Sequence, residues 1–291
     1  MKIAVIGPGA MGCLFAARLA RAGSDVTLVD HKPDRAARLN ASGISVETAD
    51  GMIDAKIKVV TAPPNNADLA IVLVKAHSTI HLNLNSRTPV LSLQNGLGNV
   101  ETLCSLVGGA NLIAGVTSEA VTQLAEGKVR HVAPGATRFG AWTTCATGPA
   151  VKALTAAGFE VELTESPGQV IWEKAAINAG INPVTALVNV KNGMLVEVPE
   201  LRQLMRDLVV EAVKVAATEG YRFENSVVEI AEKTCVDTAE NISSMLQDVR
   251  AGRTTEIDAL SGEIVRRAQL SALPTPRTRV VWQLVKGIER R

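Results

Sequence analysis

The sequence predicts an α/β protein in which a doubly wound parallel sheet is followed by an all-helical second domain. Short apolar runs alternate with helical patterns up to about residue 165, and a glycine-rich turn directly follows the first run. After the Ser-Pro-Gly of residues 166–168, apolar residues recur every three or four positions. These helical patterns cover residues 170–179, 201–219, 226–234 and 257–270. A chain of 291 residues can bury two cores, so we predict domains at 1–166 and 167–291.

Five apolar runs have the length and composition of buried strands. They are rich in Val, Ile and Leu, and they are bounded by Gly, Pro, Asn or Asp. Because helix-length segments separate them, they are predicted to pair in parallel. The runs are Lys2–Ile6, Asp25–Asp30, Leu69–Val74, Pro89–Leu93 and Leu112–Val116.

Two antiparallel excursions are predicted beside these strands. Residues 44–48 and 55–60 alternate apolar and polar side chains on either side of Asp50–Gly51, which is a hairpin signal. Residues 120–138 form the second excursion, which turns near Glu126–Gly127.

The composition argues against several classes of partner. Lys and Arg total 30 against 29 Asp and Glu, and only 3% of residues are aromatic, which disfavours nucleic acid and anionic membranes as partners. No signal-peptide region or apolar run of roughly 18 residues is found, so we expect a cytoplasmic protein without membrane association. Four cysteines without CxxC spacing are predicted to be small buried hydrophobes in a reducing compartment. They are Cys13, Cys104, Cys145 and Cys235.

The glycine-rich turn has the spacing of a dinucleotide-binding loop. Its residues Gly7, Pro8, Gly9, Ala10, Met11 and Gly12 form a GxGxxG that follows a strand and opens a helix. The first glycine permits a tight turn, the second lets the backbone approach a pyrophosphate, and the third allows close helix-to-strand packing. Although glycine-rich turns are common, this strand–turn–helix context predicts a Rossmann domain and assigns all six residues to cofactor binding.

The end of the second predicted strand bears on the choice of cofactor. Asp30 stands where an acidic side chain bonds the ribose 2′-hydroxyl of NAD and repels the 2′-phosphate of NADP. His31 and Lys32 favour the opposite choice, since a cation beside the ribose would hold a phosphate. Lys32 is equally well explained as a solvated loop charge, so the local sequence leaves the choice open.

Two further strand ends carry polar side chains. Lys75 follows the third predicted strand, where ligands of doubly wound sheets bind, and it would reach the cofactor or substrate. The alternative is a surface lysine with a buried aliphatic stem. Asn95 follows the fourth strand and would present its amide to the nicotinamide, unless Asn95–Gly96 is simply a turn.

Metal-dependent and hydrolytic chemistry finds no support in the sequence. His77 and His81 have the spacing of a metal pair, but no third ligand accompanies them, so we predict helix-surface histidines and no metal site. The sequence contains no GxSxG and no HExxH motif, which removes the basis for hydrolase and metalloprotease functions.

The second half carries an unusual polar stripe. At about 100° per residue, Lys174, Asn178 and Asn182 fall on one face of a predicted helix that is otherwise apolar. Burying these groups is costly unless they have partners, which a substrate would supply. The alternative is an exposed polar face, although Asn is a poor choice for one.

Seven short motifs, taken together and in order, match one known family. They are GPGAMG at 7–12, VKA at 74–76, QNG at 94–96, WEKAAINAGINP at 172–183, NG at 192–193, SSMLQD at 243–248 and TEID at 255–258. In this arrangement the chain resembles the ketopantoate reductase (2-dehydropantoate 2-reductase) family along nearly its whole length. Several independent motifs are more specific than a single glycine loop.

The resemblance implies NADPH-dependent reduction of 2-dehydropantoate to pantoate, for pantothenate and coenzyme A synthesis. It assigns catalysis to Lys174, the lysine of KxxxNxxxNP, and implies a substrate or ternary-complex role for Glu256, which in this reaction would accept a hydrogen bond from a substrate hydroxyl and help keep Lys174 protonated. It also implies substrate or ternary-complex roles for Asn95, Asn178, Asn182, Asn192 and Ser244.

Some alternatives to this assignment stay open. Many relatives place an arginine where this chain has residues 30–32, so NADH is a second candidate cofactor. The substrate could be another branched 2-oxo acid or a 3-hydroxy acid, and a dinucleotide-sensing protein is the non-catalytic rival. A homodimer is also compatible with the sequence.

Overall fold

The apolar runs of the first half form the strands of a large sheet. The computed structural model describes residues 1–290. In chain order the strands are β1 Lys2–Ile6, β2 Asp25–Val29, β3 Ile44–Thr48, β4 Gly51–Ala55, β5 Lys58–Val60, β6 Leu69–Val72, β7 Val90–Ser92, β8 Leu112–Thr117, β9 Ala120–Ala125, β10 Lys128–Ala133, β11 Thr137–Ala141 and β12 Val161–Leu163. All five predicted strands are present, and their ends differ from the predicted ones by at most two residues.

The large sheet has eight strands in the order β12-β11-β8-β7-β6-β1-β2-β5. From β5 to β8 all neighbours are parallel, and β11 adds antiparallel to β8. The chain order reverses beside β1, because β2 lies on one side of it and β6 on the other. This doubly wound arrangement confirms the predicted fold class, and it places the carboxyl ends of β1 and β6 side by side at the switch point where such sheets bind ligands.

One predicted hairpin strand is wrong. The expected strand 55–60 is divided, because β4 ends at Ala55 and pairs with β3, whereas β5 joins β2 in the large sheet. The alternation of side chains runs unbroken through this segment, so periodicity alone could not show that its two halves have different partners. The turn at 126–127 is as predicted, and β9 and β10 complete a second sheet in the order β4-β3-β10-β9.

Every regular element described after β12 is helical, as the periodicity predicts. The α-helices are α1 Ala10–Arg21, α2 Pro33–Ser42, α3 Asn99–Val107, α4 Gly148–Ala156, α5 Pro167–Val188, α6 Met194–Glu197, α7 Pro199–Thr218, α8 Val227–Asp237, α9 Ser244–Arg250, α10 Glu263–Leu270 and α11 Pro276–Ile288. Short 3₁₀ helices cover Ala76–His81 and Gly109–Asn111, and a π-helix covers Asp258–Gly262.

The chain divides into two compact units. The first contains residues 1–94 and 99–167, and the second contains the chain from residue 168 onward together with residues 95–98. The sequence places the Asn95 loop in the first half, whereas its contacts group it with the helices. Leu97 of this loop is part of the second hydrophobic core, and its amide is hydrogen-bonded to the π-helix.

Each unit has its own hydrophobic core. In the first, Phe15 of α1 is fully buried and its ring stacks on Phe159 with a centroid distance of 4.2 Å. In the second, α5 approaches α7 closely at Gly180, where an added Cβ would lie 2.6 Å from Cγ2 of Val209. This close approach fixes the orientation of α5, the helix that carries the polar stripe.

The cysteines follow the prediction with one exception. Cys13, Cys145 and Cys235 are buried, whereas Cys104 is only half-buried. It lies on α3, where the fully buried face consists of other residues, so helical geometry turns it partly outward. Across residues 1–290, no helix combines the length and apolar character that crossing a bilayer requires.

Candidate active site

The glycine loop leaves one exposed backbone position beside two tightly packed ones. Gly7 has φ of +107°, and an added Cβ would lie 2.9 Å from the backbone nitrogen of Val74. A Cβ on Gly12 would overlap the carbonyl oxygen of Gly7. Gly9, in contrast, is exposed and has no atom within 4 Å of an added Cβ. Two glycines are therefore required by the fold itself, and the third leaves open space beside its backbone, as the second glycine of a dinucleotide-binding loop does.

The start of α1 offers backbone donors to that space. Gly9 is the N-cap of α1, no side chain caps the helix, and the first turn carries no acidic residue. Ala10 and Met11 are half-buried in this turn, and Pro8 is buried behind it. Uncapped amides at a helix N-terminus attract a phosphate through their N–H groups and the helix dipole.

Arg35, which the sequence analysis did not identify, holds the carboxylate of Asp30. The Arg35 Nη2 donates to Oδ1 at 2.7 Å, its Nε donates to Oδ2, and the Lys32 amide donates to Oδ1 at 3.1 Å. The side chain of Asp30 is completely buried, whereas His31 and Lys32 are exposed. The position of Arg35 in the sequence could have indicated this contact. Since α2 begins at Pro33, a residue in its first turn can face back to the end of the preceding strand.

The charges near Asp30 are mutually stabilised. Burial opposes ionisation of Asp30, but hydrogen bonds from Arg35 and from the Lys32 amide outweigh it and hold the pKa of this carboxyl below its usual range. Burial raises the pKa of the Cys13 thiol to about 12, and the charge of Arg35 opposes this rise.

Lys75 lies just beyond the switch-point strand β6. This strand ends at Val72, two residues earlier than predicted, and Lys75 is the half-buried N-cap of the 3₁₀ helix. Its carbonyl accepts a 2.8 Å hydrogen bond from the amide of Ser78. His77 and His81 lie exposed on the same short helix, as predicted for surface histidines.

The Asn95 loop docks on the π-helix. The amide of Leu97 donates to the carbonyl oxygen of Ala259 at 2.7 Å. Gly96 has φ of +83°, and an added Cβ would lie 2.7 Å from the same oxygen. Asn95–Gly96 therefore lies in a bend, and Leu97 two residues later is hydrogen-bonded to Ala259, three residues beyond Glu256.

Hydrogen bonds hold the chain on either side of Glu256, at Thr255 and at Asp258. The amide and the hydroxyl of Thr255 donate to Oε1 of Glu289 at 2.8 and 2.7 Å. Asp258 accepts hydrogen bonds from Trp282 Nε1 and Lys286 Nζ, both at 2.8 Å. Glu256 itself is half-buried, on a segment that these hydrogen bonds fix on both sides.

The predicted polar stripe lies along α5 as one face. Lys174 and Asn178 are half-buried, and Asn182 is only 7% exposed. The intervening Ala175, Ala176 and Ala179 are buried. Since no member of the stripe is fully exposed, the stripe is not the solvated polar face that the sequence left as an alternative.

Asn192 carries a buried acceptor without a partner. Its amide nitrogen donates to the Asn241 carbonyl at 3.0 Å, and its Nδ2 donates to Thr238 Oγ1 at 3.0 Å. Its Oδ1 is buried and accepts no hydrogen bond from residues 1–290. An unpaired buried carbonyl costs about 1–3 kcal/mol, which a substrate hydroxyl would offset.

The segment that carries Ser244 is tied to α5 as well. Ser243 caps α9, and its hydroxyl lies 2.7 Å from that of Thr185, which is three residues beyond Asn182. Ser244 is the exposed first residue of α9. The second unit thus brings the end of α5 and the Ser244 segment together, and separately it joins the loop of residues 95–98 to the π-helix that follows Glu256.

The sheet and its glycine loop define a Rossmann-type dinucleotide-binding domain, here followed by helices. Residues 3–144 match the family model "Ketopantoate reductase PanE/ApbA", and residues 168–289 match its C-terminal counterpart. A 2-dehydropantoate 2-reductase of Halobacterium salinarum is 34% identical over 100% of this chain and 99% of its own. One from Bacillus subtilis is 30% identical over 100% and 98%. The chain belongs to the ketopantoate reductase family, which confirms the family and the oxidoreductase class predicted from the sequence.

Solved structures agree on the fold. A ketopantoate reductase of the PanE/ApbA family from Ralstonia eutropha JMP134 superimposes with a TM-score of 0.90 at 31% identity, covering 100% of this chain and 99% of the other. D-mandelate dehydrogenase in complex with NADH gives a TM-score of 0.91 at 25% identity, with the same coverage. The NADH complex supports the predicted nicotinamide dinucleotide, while the choice between NADPH and NADH stays a prediction.

Proposed function

We propose that this chain reduces 2-dehydropantoate to pantoate with NADPH, as a step toward pantothenate and coenzyme A. The observation that carries the proposal is the half-buried Lys–Asn face of α5 in a chain that aligns end to end with 2-dehydropantoate 2-reductases. The orphaned Oδ1 of Asn192 adds a buried acceptor for a substrate that carries a hydroxyl group.

The choice of NADPH rests on Arg35. The Asp30 oxygens already accept hydrogen bonds from Arg35 and from the Lys32 amide, so they are poorly placed to accept one from a ribose hydroxyl. A guanidinium has five N–H donors, and only those on Nε and Nη2 face Asp30. With its side chain 29% exposed, Arg35 would meet a 2′-phosphate from solvent, while Asp30 serves to orient it.

The bound cofactor supplies a hydride to the ketone carbon of the substrate. Lys174 places its ammonium against the ketone oxygen, stabilises the negative charge that develops there, and gives that oxygen a proton from Nζ. Glu256 accepts a hydrogen bond from the substrate hydroxyl and favours the protonated form of Lys174. The remaining polar groups hold the carboxylate and hydroxyl ends of the substrate in attack geometry. These groups are Asn95, Asn178, Asn182, Asn192 and Ser244.

A second candidate is the reduction of a different 2-oxo acid with NADH. It is favoured by the similarity to D-mandelate dehydrogenase, whose TM-score is as high as that of the ketopantoate reductase. A purely dinucleotide-sensing role has less support, because sensing requires neither the Lys174 face nor the Asn192 acceptor.

Steady-state kinetics separates these functions. We expect reduction of 2-dehydropantoate to exceed reduction of 2-oxo-2-phenylacetate, the ketone related to mandelate, and NADPH to be preferred over NADH. A preference for the aromatic ketone would replace the proposed substrate. Nucleotide binding without turnover of either ketone would leave the sensor as the better explanation. The homodimer stays a prediction, which sedimentation velocity of the purified chain tests.

A further inference from the structure

Four polar side chains are buried together at the ends of β6 and β7. Ser92, Gln94, Thr79 and Asn99 are exposed by only 3%, 6%, 1% and 5%, respectively. All four belong to the first unit. Buried polar groups are costly unless they are hydrogen-bonded, so this cluster requires a complete set of partners.

Gln94 is the centre of the cluster. Its Nε2 donates to the Val74 carbonyl at 2.9 Å and to Thr79 Oγ1 at 2.7 Å. Its Oε1 accepts from Ser92 Oγ at 3.1 Å. Thr79 passes its own proton to Asn99 Oδ1 at 3.1 Å.

These contacts fix the orientation of the Gln94 amide. Turning the amide over would place Oε1 against the Val74 carbonyl, which is also an acceptor. In the observed orientation both Nε2 protons have acceptors, and the Thr79 hydroxyl accepts one hydrogen bond and donates another. The cluster is therefore a directed network with one arrangement.

The network fixes the backbone next to two candidate site residues, Lys75 and Asn95. Val74, whose carbonyl Gln94 binds, immediately precedes Lys75, and Gln94 itself immediately precedes Asn95. Thr79 lies in the 3₁₀ helix that begins after Lys75. The buried Gln94 side chain thus restrains the peptide group that precedes Lys75, and its own backbone precedes Asn95.

We propose that Gln94 is a positioning residue that sets Lys75 and Asn95 for the nucleotide and the ketone. The inference rests on the proposed function, because it takes these two residues as parts of that site. A displacement of about 1 Å at a reacting group can cost on the order of 10² in rate. Loss of the Gln94 donors should therefore reduce turnover and nucleotide affinity together.

Gln94→Glu tests the direction of the hydrogen bonds. A carboxylate cannot donate to the Val74 carbonyl, whereas a protonated carboxyl can restore one of the two donations. We expect kcat/KM at least tenfold below wild type at pH 8, with part of the loss recovered as the pH is lowered toward 5.5. A defect of equal size at both pH values would contradict the proposed donation.

Thr79 and Thr88 provide a matched pair for the remaining control. Thr79→Val removes a hydroxyl of the network, while Thr79→Ser keeps it. Thr88→Val removes another buried hydroxyl, which contacts the Ala67 carbonyl at 3.3 Å before the opposite end of β7. We expect Thr79→Val to raise the NADPH Kd and lower kcat about tenfold, with Thr79→Ser close to wild type and Thr88→Val unchanged in both.

The decisive measurements are the NADPH Kd by calorimetry without substrate, kcat and KM, and the melting temperature. A lower melting temperature with unchanged Kd and kcat in folded Gln94→Glu and Thr79→Val would show that the network is only structural, and would overturn the inference. Should Gln94→Glu fail to fold, the comparison of Thr79→Val with Thr79→Ser and Thr88→Val still decides whether the network positions the site or is only structural. If the wild type binds NADPH but does not reduce 2-dehydropantoate, the proposed function fails, and the Kd of the variants still tests the positioning of Lys75.

Discussion

The glycine loop of the first unit offers backbone to a ligand, whereas α5 of the second unit offers side chains. At Gly9 nothing of the protein lies within 4 Å of an added Cβ, so the loop works by leaving space. On α5 the small residues Ala175, Ala176 and Ala179 are buried, and Lys174 remains half-buried beside them. The proposed nucleotide site thus depends on open space beside the backbone, and the proposed catalytic site depends on the charge of Lys174.

This difference separates binding from chemistry. A substitution in the loop changes how closely a ligand approaches and should appear in a binding constant. A substitution on the polar face of α5 removes charge that matters most in the transition state, and should appear in kcat. Substitutions at each of the two places test whether binding and chemistry separate in this way.

Lys174→Ala should have the largest effect and should act on turnover. Removing a group that stabilises a developing oxyanion costs on the order of 10² to 10³ in rate, so kcat should fall by that factor while the NADPH Kd changes little. Stopped-flow measurement of NADPH consumption gives the rate. Lys233→Ala is the control, because Lys233 is an exposed lysine of α8 paired with Asp237. Turnover near wild type in Lys174→Ala at saturating substrate would remove its catalytic assignment.

Gly9→Ala and Gly12→Ala should separate ligand contact from packing. The φ of −76° at Gly9 suits alanine, so this variant should keep its melting temperature and raise the nucleotide Kd roughly five- to hundredfold, about 1–3 kcal/mol. Gly12→Ala should instead lose about 1–3 kcal/mol of unfolding free energy, since its Cβ would overlap the Gly7 carbonyl. Calorimetry and thermal unfolding measure the two effects. An unchanged Kd in Gly9→Ala would mean that the loop is only a turn.

Arg35→Ala tests whether the first unit also uses one charged side chain. We expect the NADPH Kd to rise about tenfold, roughly 1.4 kcal/mol, because the guanidinium is partly exposed and its charge is partly screened. NADH affinity should stay the same or improve, as Asp30 loses its partner. Lys32→Ala is the comparison variant. If Lys32→Ala loses more NADPH affinity than Arg35→Ala does, Lys32 and not Arg35 binds the 2′-phosphate.

The smallest expected effect is on the free energy of unfolding, and it comes from Glu232 of α8 in the second unit. Hydrogen bonds from Arg202 and Arg206 outweigh the opposing effect of burial and lower the pKa of Glu232 to about 2. Since the folded pKa lies below the ordinary value of 4.5, the stabilisation is complete above pH 4.5 and is lost as the pH falls toward 2. Both arginine side chains are nearly half exposed, so the contribution should not exceed about 1 kcal/mol. Urea unfolding of wild type and Glu232→Gln should differ at pH 6 and converge near pH 2, and a constant difference would contradict this assignment.

Much of this architecture could be predicted because it depends on local patterns. The buried strands, the GxGxxG turn after β1 and the Lys174–Asn178–Asn182 face are visible in residue spacing alone. The short motifs also predicted the family, and the full-length relatives confirm it. The catalytic and binding roles of individual residues stay predictions, since spacing identifies a face without showing what binds there.

The fold class and the residues of the polar face follow from residue order alone, because periodicity and glycine spacing act over a few neighbouring residues. The partners of residues that are distant in the chain become visible only in the folded protein. In the folded protein Asp30 accepts hydrogen bonds from Arg35, and β5 pairs with β2 in the large sheet instead of joining the hairpin. Leu97 is hydrogen-bonded to Ala259, and Gln94 is hydrogen-bonded to Thr79. The physical reason is that a hydrogen bond or strand pairing is chosen by proximity after folding, and a donor's position in the sequence does not name its acceptor.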